Sequence, residues 1–130
     1  MSHFETFGLY LALSMLIFAF LTFRVIAIRR GQRISLGDGD DNNLRKRIRS
    51  HANFVECTPL AMLGLLTLAF LQVPILAIHI FGAAFVIGRL LHAHGMMQKG
   101  AIGAGRPLGM MITLLVVLGE ALYILYSVIT

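Results

Sequence analysis

The stretch Arg49-Ser-His51-Ala-Asn53-Phe-Val-Glu56, followed by the uncharged residues 57–72, decides how this chain folds. Arg49, Asn53 and Glu56 stand at positions i, i+4 and i+7, so they share one face of a helix. The residues that follow are mostly apolar, as in a helix surrounded by lipid. Ionisable groups at membrane depth are costly and need a polar partner. The stretch therefore predicts a membrane-spanning helix with a polar site where it enters the bilayer.

The composition points to a membrane protein. The chain has 130 residues, of which 58% are apolar, and its mean hydropathy is +0.83. A soluble domain of this size rarely has so apolar a composition, so we predict an all-α integral membrane protein. The net charge of +5 is concentrated in a few segments, which argues against a nucleic-acid-binding surface. The single cysteine, Cys57, excludes an intrachain disulfide, and we interpret it as a packing residue.

Four apolar segments predict a four-transmembrane-helix bundle with up-down-up-down order, in one domain that covers residues 1–130. The expected spans are residues 4–28, 44–72, 74–97 and 107–129. A bilayer-spanning helix needs roughly 20 residues, which each segment supplies. Pro74 and Pro107 suit helix starts, and Asn43 is expected to cap the second helix. The first segment is too long for a cleavable signal, so we expect it to stay as an anchor.

The basic residues predict the orientation of the bundle. Most of them fall in the first and third connections or beside them: Arg29, Arg30, Arg33, Arg45, Lys46, Arg47, Lys99 and Arg106. The opposite side, with both termini and the turn near Val73, has no lysine or arginine. Basic connections stay in the cytosol, so both termini are expected on the non-cytosolic side.

A second polar pair lies in the third segment, where Arg89 and His92 are spaced i, i+3 and share a face. Arg89 lies about as deep as Glu56, so an ion pair between them is one structural interpretation, and such a pair could also line a ligand site. In the other structural interpretation, Arg49 extends to the membrane surface while Asn53 and Glu56 bond to neighbouring helices. That interpretation explains Glu56 poorly, because a buried carboxylate needs a cation or a proton.

Other polar residues have simpler interpretations. Arg106, beside Pro107, is either a cytosolic anchor or a cation aimed at an anionic ligand atom. Asp38 and its neighbouring aspartates resemble the start of a calcium loop, but the twelfth position is an arginine, which excludes that motif. His79 and Glu120 have similar expected depths and are predicted to share a hydrogen bond between helices three and four.

The candidate site residues indicate what kind of ligand would bind. They are three cations, one carboxylate and one amide: Arg49, Arg89, Arg106, Glu56 and Asn53. Such a ligand has more than one anionic group and one cationic group. From the first connection, Arg29 is the candidate to join them, with Arg30 and Arg33 as alternatives. Glutathione, with two carboxylates, an ammonium and a thiol, matches the inventory, although other zwitterions with excess negative charge also match. An arginine near the sulfur would favour the reactive thiolate.

The stretch from Arg49 to Pro59 resembles the helix-two signature of the MAPEG family, the membrane-associated proteins in eicosanoid and glutathione metabolism. That signature is an arginine, an asparagine four residues later, a glutamate three after that, and a proline three further on. The Gly37-Asp38-Gly39 loop and the Arg89-Leu-Leu-His92 segment are most similar to the small bacterial branch.

The resemblance implies a left-handed four-helix bundle that assembles as a homotrimer in the bacterial inner membrane. It implies that glutathione, as co-substrate, binds between protomers on the cytosolic side. The residues implied to bind it are Arg49, Asn53, Glu56, Arg89 and His92. Within that set Glu56 would face the amino group, and Arg106 would be the thiolate-stabilising, catalytic arginine.

Three functions are compatible with these features. The first is a glutathione-dependent transferase or peroxidase that acts on small lipophilic electrophiles delivered by the lipid bilayer. The second is a binding or scaffold protein without turnover, which Met96 favours because several eukaryotic members carry a tyrosine there. The third is a small proton-coupled exporter that uses Glu56, which Arg49 and Arg89 disfavour because they would neutralise that carboxylate and repel cations.

Overall fold

The computed structural model of the chain describes residues 1–98 and 103–130, and these form four long helices. They are α1 (His3–Gln32), α2 (Asn42–Phe70), α3 (Ile75–Met97) and α4 (Gly105–Ile129). All four are long and apolar enough to cross a membrane. The predicted all-α, four-helix membrane architecture is therefore confirmed. Lys99, which the sequence analysis assigned to the third connection, lies outside the described residues.

The helix ends differ from the predicted ones by a few residues, for local reasons. α1 continues through the basic segment to Gln32. It ends there because the next residue, Arg33, has a left-handed backbone conformation (φ 56°). Asp41, not Asn43, caps α2, since its extended backbone lets its carboxylate accept a hydrogen bond from the Leu44 amide at 2.8 Å.

The loop between α1 and α2 is held by its aspartates. Asp38 accepts a hydrogen bond from the Arg45 guanidinium, and this contact, with the Asp40 amide, lowers the pKa of the Asp38 carboxyl. Asp41 also accepts from the Gln32 amide at 2.6 Å. These contacts fix the short connection that returns the chain from α1 to α2.

The bundle is arranged around the two central helices. α2 and α3 contact each other, and each also contacts α1 and α4. Between them lies an apolar core that includes Leu65, Leu68, Ile78, Phe85 and Val116. Large apolar side chains also cover the outside of the bundle, for example Leu16, Phe23, Leu63, Leu76 and Leu122. An apolar exterior is expected where lipid is the solvent.

We refer to the two ends of the bundle as the basic end, with the first and third connections, and the terminal end, with both termini and the α2–α3 turn. At the terminal end His3 donates a hydrogen bond to the Val73 carbonyl at 2.9 Å, which ties the start of α1 to the turn. Deeper in the bundle, Tyr10 on α1 is hydrogen-bonded to Nδ1 of His79 on α3 at 2.8 Å.

Glycines bring α3 and α4 into backbone contact, at an interface formed by Gly88, Gly95, Gly105 and Gly109. A Cβ at Gly109 would overlap the Gly88 carbonyl and the His92 amide nitrogen, and one at Gly95 would overlap the Arg106 amide nitrogen. Gly105 and Gly109 form a GxxxG pair, the pattern that lets membrane helices approach closely. This glycine interface fixes the register of α3 against α4.

We expect Gly109→Ala to destabilise the protein, with Gly8→Ala as the matched control. A methyl group at Gly109 would meet α3 backbone, which cannot move aside like a side chain, and overpacking of this kind costs about 1–3 kcal/mol. A methyl group at Gly8 meets nothing within 4 Å. Thermal unfolding in detergent is the measurement. Equal melting temperatures for the two variants would contradict the close α3–α4 approach.

Candidate functional site

A cleft of about 560 Å³ opens between α2, α3 and α4 towards the basic end of the bundle. It is lined by Asn53, His92, Arg106, Pro107 and Met110. We call it the polar cleft. It brings together three of the side chains that the sequence analysis selected, one from each of the three helices. Its volume lies in the range of small-molecule sites, roughly 300–1,000 Å³.

The glycine interface places two of these residues side by side. His92 follows Gly88 by one turn of α3, and Arg106 lies next to Gly105 at the start of α4. Because Gly95 touches the Arg106 backbone and Gly109 touches the His92 backbone, the two side chains emerge on the same cleft. Larger residues at these glycines would separate α3 from α4 and widen the distance between histidine and arginine.

Arg89 lies behind the polar cleft instead of lining it, and it is 1% exposed. Its Nη2 donates to Oδ1 of Asn53 at 2.7 Å, and its Nη1 donates to the Thr113 hydroxyl at 3.3 Å. Thr113 in turn donates to the Gly109 carbonyl at 2.8 Å. The guanidinium thus links α2, α3 and α4 and occupies the oxygen of Asn53, which leaves the amide nitrogen of Asn53 to face Met110 and the cleft.

The interpretation of Glu56 and Arg89 as an ion pair, one of the structural alternatives from the sequence, is wrong within this protomer. Among the described residues the only salt bridges are those of Arg45, and Glu56 is exposed on the outside of the bundle. The reason is rotational, because three residues turn a helix by about 300°, so Glu56 points about 60° away from Asn53. Asn53 faces the bundle, and it is Asn53 that contacts Arg89, the partner that depth alone suggested for Glu56.

The other predicted site residues do not all gather at the cleft. Arg49, like Glu56, is exposed on the outer face of α2 beside Asn53. Arg29 is half-buried near the end of α1 and does not line the cleft, and one of its buried nitrogens has no hydrogen-bond partner among the described residues. Met96 faces a narrow groove with Arg24, Arg47, Ser50 and others instead of the cleft.

The predicted hydrogen bond between His79 and Glu120 is also wrong. His79 bonds to Tyr10, which lies over Gly82 on the neighbouring face of α3. Glu120 packs against Gly64 of α2. The two residues therefore face different neighbours.

Two residues of the site were missed in the sequence analysis, Met110 in the cleft and Thr113 behind it. A signal was available, because Arg106, Met110 and Thr113 are spaced i, i+4 and i+7 and share one face of α4. This is the same spacing that marked Arg49, Asn53 and Glu56 on α2. Met110 and Thr113 are ordinary residues in membrane helices, so the pattern did not stand out.

The chemistry of the polar cleft is that of an anion receptor. The Asn53 amide nitrogen, the Arg106 guanidinium and the His92 ring provide hydrogen-bond donors, and no carboxylate lines this cleft. Nδ1 of His92 is buried and has no partner within residues 1–98 and 103–130. Over those same residues, no three His, Cys, Asp or Glu side chains converge as a metal site would require.

Comparison with known proteins shows the family of the chain. The sequence model of the MAPEG family matches residues 7–126, nearly the whole chain and all the residues of the polar cleft. The chain belongs to the MAPEG family. It is 33% identical over 92 residues to the inner membrane protein YecN of Escherichia coli K12, which covers 71% of this chain and 70% of YecN.

The YecN protein of Escherichia coli O6:H1 (strain CFT073) matches to the same extent. No solved structure matches this chain. The match to the MAPEG family confirms the resemblance drawn from Arg49, Asn53, Glu56 and Pro59. Membership of the MAPEG family is compatible with a membrane function linked to glutathione. The name of YecN does not specify an activity.

We expect Arg89→Lys to lower stability far more than Arg49→Lys. Both changes keep the charge, but a lysine at position 89 cannot donate to Asn53 and Thr113 together as the planar guanidinium does. Hydrogen bonds from charged groups contribute about 1.5–3 kcal/mol each, whereas an exposed substitution stays within about 0.5 kcal/mol. Thermal unfolding of both variants in detergent is the measurement, and similar melting temperatures would disprove the linking role of Arg89.

Proposed function

We propose that this protein is a glutathione-dependent membrane transferase or peroxidase that acts on lipophilic electrophiles. The observation that carries the proposal is the polar cleft, where Asn53, His92 and Arg106 provide donors around a volume suited to a small anionic ligand. Membership of the MAPEG family supports glutathione as the ligand class. The basic connections, together with the name of the relative YecN, support an inner-membrane location with both termini on the non-cytosolic side.

Arg106 is proposed as the residue that activates the thiol. It begins α4 at the mouth of the cleft, it is exposed, and no salt bridge engages it among the described residues. A free guanidinium beside the sulfur favours the thiolate, which is the nucleophile.

In conjugation, the thiolate would form a carbon–sulfur bond with a substrate that reaches the site from the bilayer. The electron pair of the bond that breaks would leave with the departing group or, in an addition, stay on the product and take up a proton. In peroxide reduction, the thiolate would attack a peroxide oxygen and break the O–O bond, the alcohol would leave, and a second glutathione would convert the sulfenic acid to the disulfide and water. Positioning and charge stabilisation would supply the catalysis, without a covalent enzyme intermediate.

The site is proposed to be completed by a neighbouring protomer in a homotrimer. Glu56 and Arg49 are exposed on the outer face of α2, surrounded by apolar residues such as Val55 and Leu60. A carboxylate directed at lipid is unfavourable, so it needs a cation from outside its own protomer. The ammonium of glutathione, held in the polar cleft of the adjacent protomer, would be that cation. Arg49 would pair with one of the ligand's carboxylates.

A second candidate, binding without turnover, is favoured by Met96. This residue provides no hydroxyl, and it faces the groove of Arg24, Arg47 and Ser50 instead of the polar cleft. The cleft would then hold glutathione without the extra donor that several eukaryotic relatives supply. Binding with no conjugation across a panel of electrophiles would select this second function.

We expect purified protein to bind millimolar glutathione and to produce a thiolate absorbance that Arg106→Ala removes. Loss of a charge-assisted contact of about 1.5–3 kcal/mol corresponds to roughly a tenfold to hundredfold loss in the thiolate population. Arg30→Ala is the matched control, because Arg30 is also exposed and basic but belongs to α1, away from the cleft. Absence of glutathione binding to the unmodified protein would disprove the proposed function.

We expect Glu56→Gln and Arg106→Ala protomers to restore each other when they are co-expressed. If each site takes Glu56 from one protomer and Arg106 from the next, random mixing gives about half of the sites an intact Glu56 and half of those an intact Arg106, so about one site in four is complete. Activity of the mixture is the measurement. The control mixes Glu56→Gln with the double variant, where no complete site forms. If the first mixture is as inactive as the control, both residues act within one protomer.

A further inference from the structure

A second groove, separate from the polar cleft, lies between α2 and α4 nearer the terminal end. Its volume is about 300 Å³, and its walls are apolar side chains such as Leu60, Leu63 and Val117. One ionisable residue lines it, Glu120 of α4. We call it the acidic groove. The proposed thiol chemistry uses none of its residues.

Glu120 lies deep in the membrane-spanning part of α4. The helix runs from Gly105 to Ile129, so Glu120 is about 22 Å from its basic end and about 13 Å from its terminal end. Arg106, which lines the polar cleft, is about 21 Å away along the same helix. This separation keeps the glutamate beyond direct contact with the arginine of the polar cleft.

The carboxyl of Glu120 is buried and has no polar partner. It is 2% exposed, and no group in residues 1–98 and 103–130 forms a hydrogen bond or an ion pair with it. Thr67, the nearest hydroxyl in the groove wall, donates to the Leu63 carbonyl of its own helix. His79 bonds to Tyr10. A carboxylate in such surroundings must hold a proton or face a cation.

The groove is shaped to hold the carboxyl against its wall. A Cβ at Gly64 of α2 would overlap Oε2 of Glu120, so in this arrangement the carboxyl lies directly against the Gly64 backbone. Gly64 and Glu120 therefore contact each other between α2 and α4. The carboxyl lies on the groove wall, where a molecule that enters from the lipid can reach it.

We propose that the acidic groove binds a lipophilic amine from the bilayer. The amine enters as the neutral base, and its nitrogen takes the proton of the Glu120 carboxylic acid. The products are an ammonium and a carboxylate that remain paired, so no net charge is moved into the hydrocarbon. The apolar body of the amine lies on Leu60, Leu63 and Val117. Charge complementarity selects this class, since the lining contains one acid and, among the described residues, no cation.

The test uses the protein in lipid nanodiscs, with dicyclohexylcarbodiimide as the reagent and N,N-dimethyldodecylamine as the probe. A protonated carboxyl in an apolar site adds across one C=N bond of the carbodiimide to give an O-acylisourea. Migration of the acyl group to nitrogen then leaves the whole reagent attached as an N-acylurea that mass spectrometry locates. The probe is a tertiary amine because a primary amine would attack the O-acylisourea and remove the label by forming an amide. We expect labelling at Glu120 that N,N-dimethyldodecylamine prevents and dodecanol does not. Dodecanol has the same chain but no basic nitrogen.

Variants separate this proposal from the thiol chemistry. Glu120→Gln is expected to lose the label and to bind N,N-dimethyldodecylamine at least about tenfold more weakly, while glutathione binding is unchanged. Glu56→Gln is the matched control and should keep the label. Equal protection by amine and alcohol would overturn the proposal, and so would a Glu120 that stays unlabelled because a second copy of the chain covers the groove. The labelling of the unmodified protein does not depend on how any variant folds.

Discussion

The arrangement of the helices at the basic end depends on one interaction, the burial of the Arg89 guanidinium between three membrane helices. Arg89 is buried away from water and its guanidinium only donates hydrogen bonds, so it needs acceptor oxygens from the protein, which Asn53 and Thr113 provide. Thr113 is hydrogen-bonded to the Gly109 carbonyl, and Gly109 is also the residue that lets α4 touch the backbone of His92. The contacts that satisfy the buried charge are therefore the contacts that shape the cleft. Arg89 does not line the cleft itself, but its hydrogen bond to Asn53 fixes which atoms of that amide face the cleft.

The helices could be predicted from the sequence because they depend on a property of each segment alone, namely the length of its apolar run. A run of apolar residues long enough to cross a bilayer is expected to form a helix, because a single segment satisfies its own backbone hydrogen bonds in lipid only as a helix. The ends were harder to predict, because they depend on local backbone conformation. Asp41 and Asn43 are both good capping residues, and only the extended backbone at Asp41 shows which one is used.

Several residues of the site could be predicted from the sequence, but the contacts between them could not. The reason is physical. Position along a helix indicates roughly how deep a side chain lies in the membrane. Both pairs inferred from the sequence, Glu56–Arg89 and His79–Glu120, rested on the expected depths of their residues. Partners inside a bundle are selected by rotation about the helix axis as well. Rotation depends on how neighbouring helices approach, and here that approach depends on glycines, which carry no polar signal of their own.

The two ends of α2 present opposite chemistry to the lipid-facing surface. Near the basic end Asn53 joins Arg106 and His92 in a cleft with donors and no acid, while Gly64, about 17 Å further along, makes room for an unpaired acid. One helix thus forms a wall of both sites, and each site is open to the surroundings of the protomer. The polar cleft and the acidic groove therefore both depend on how α2 packs against α4.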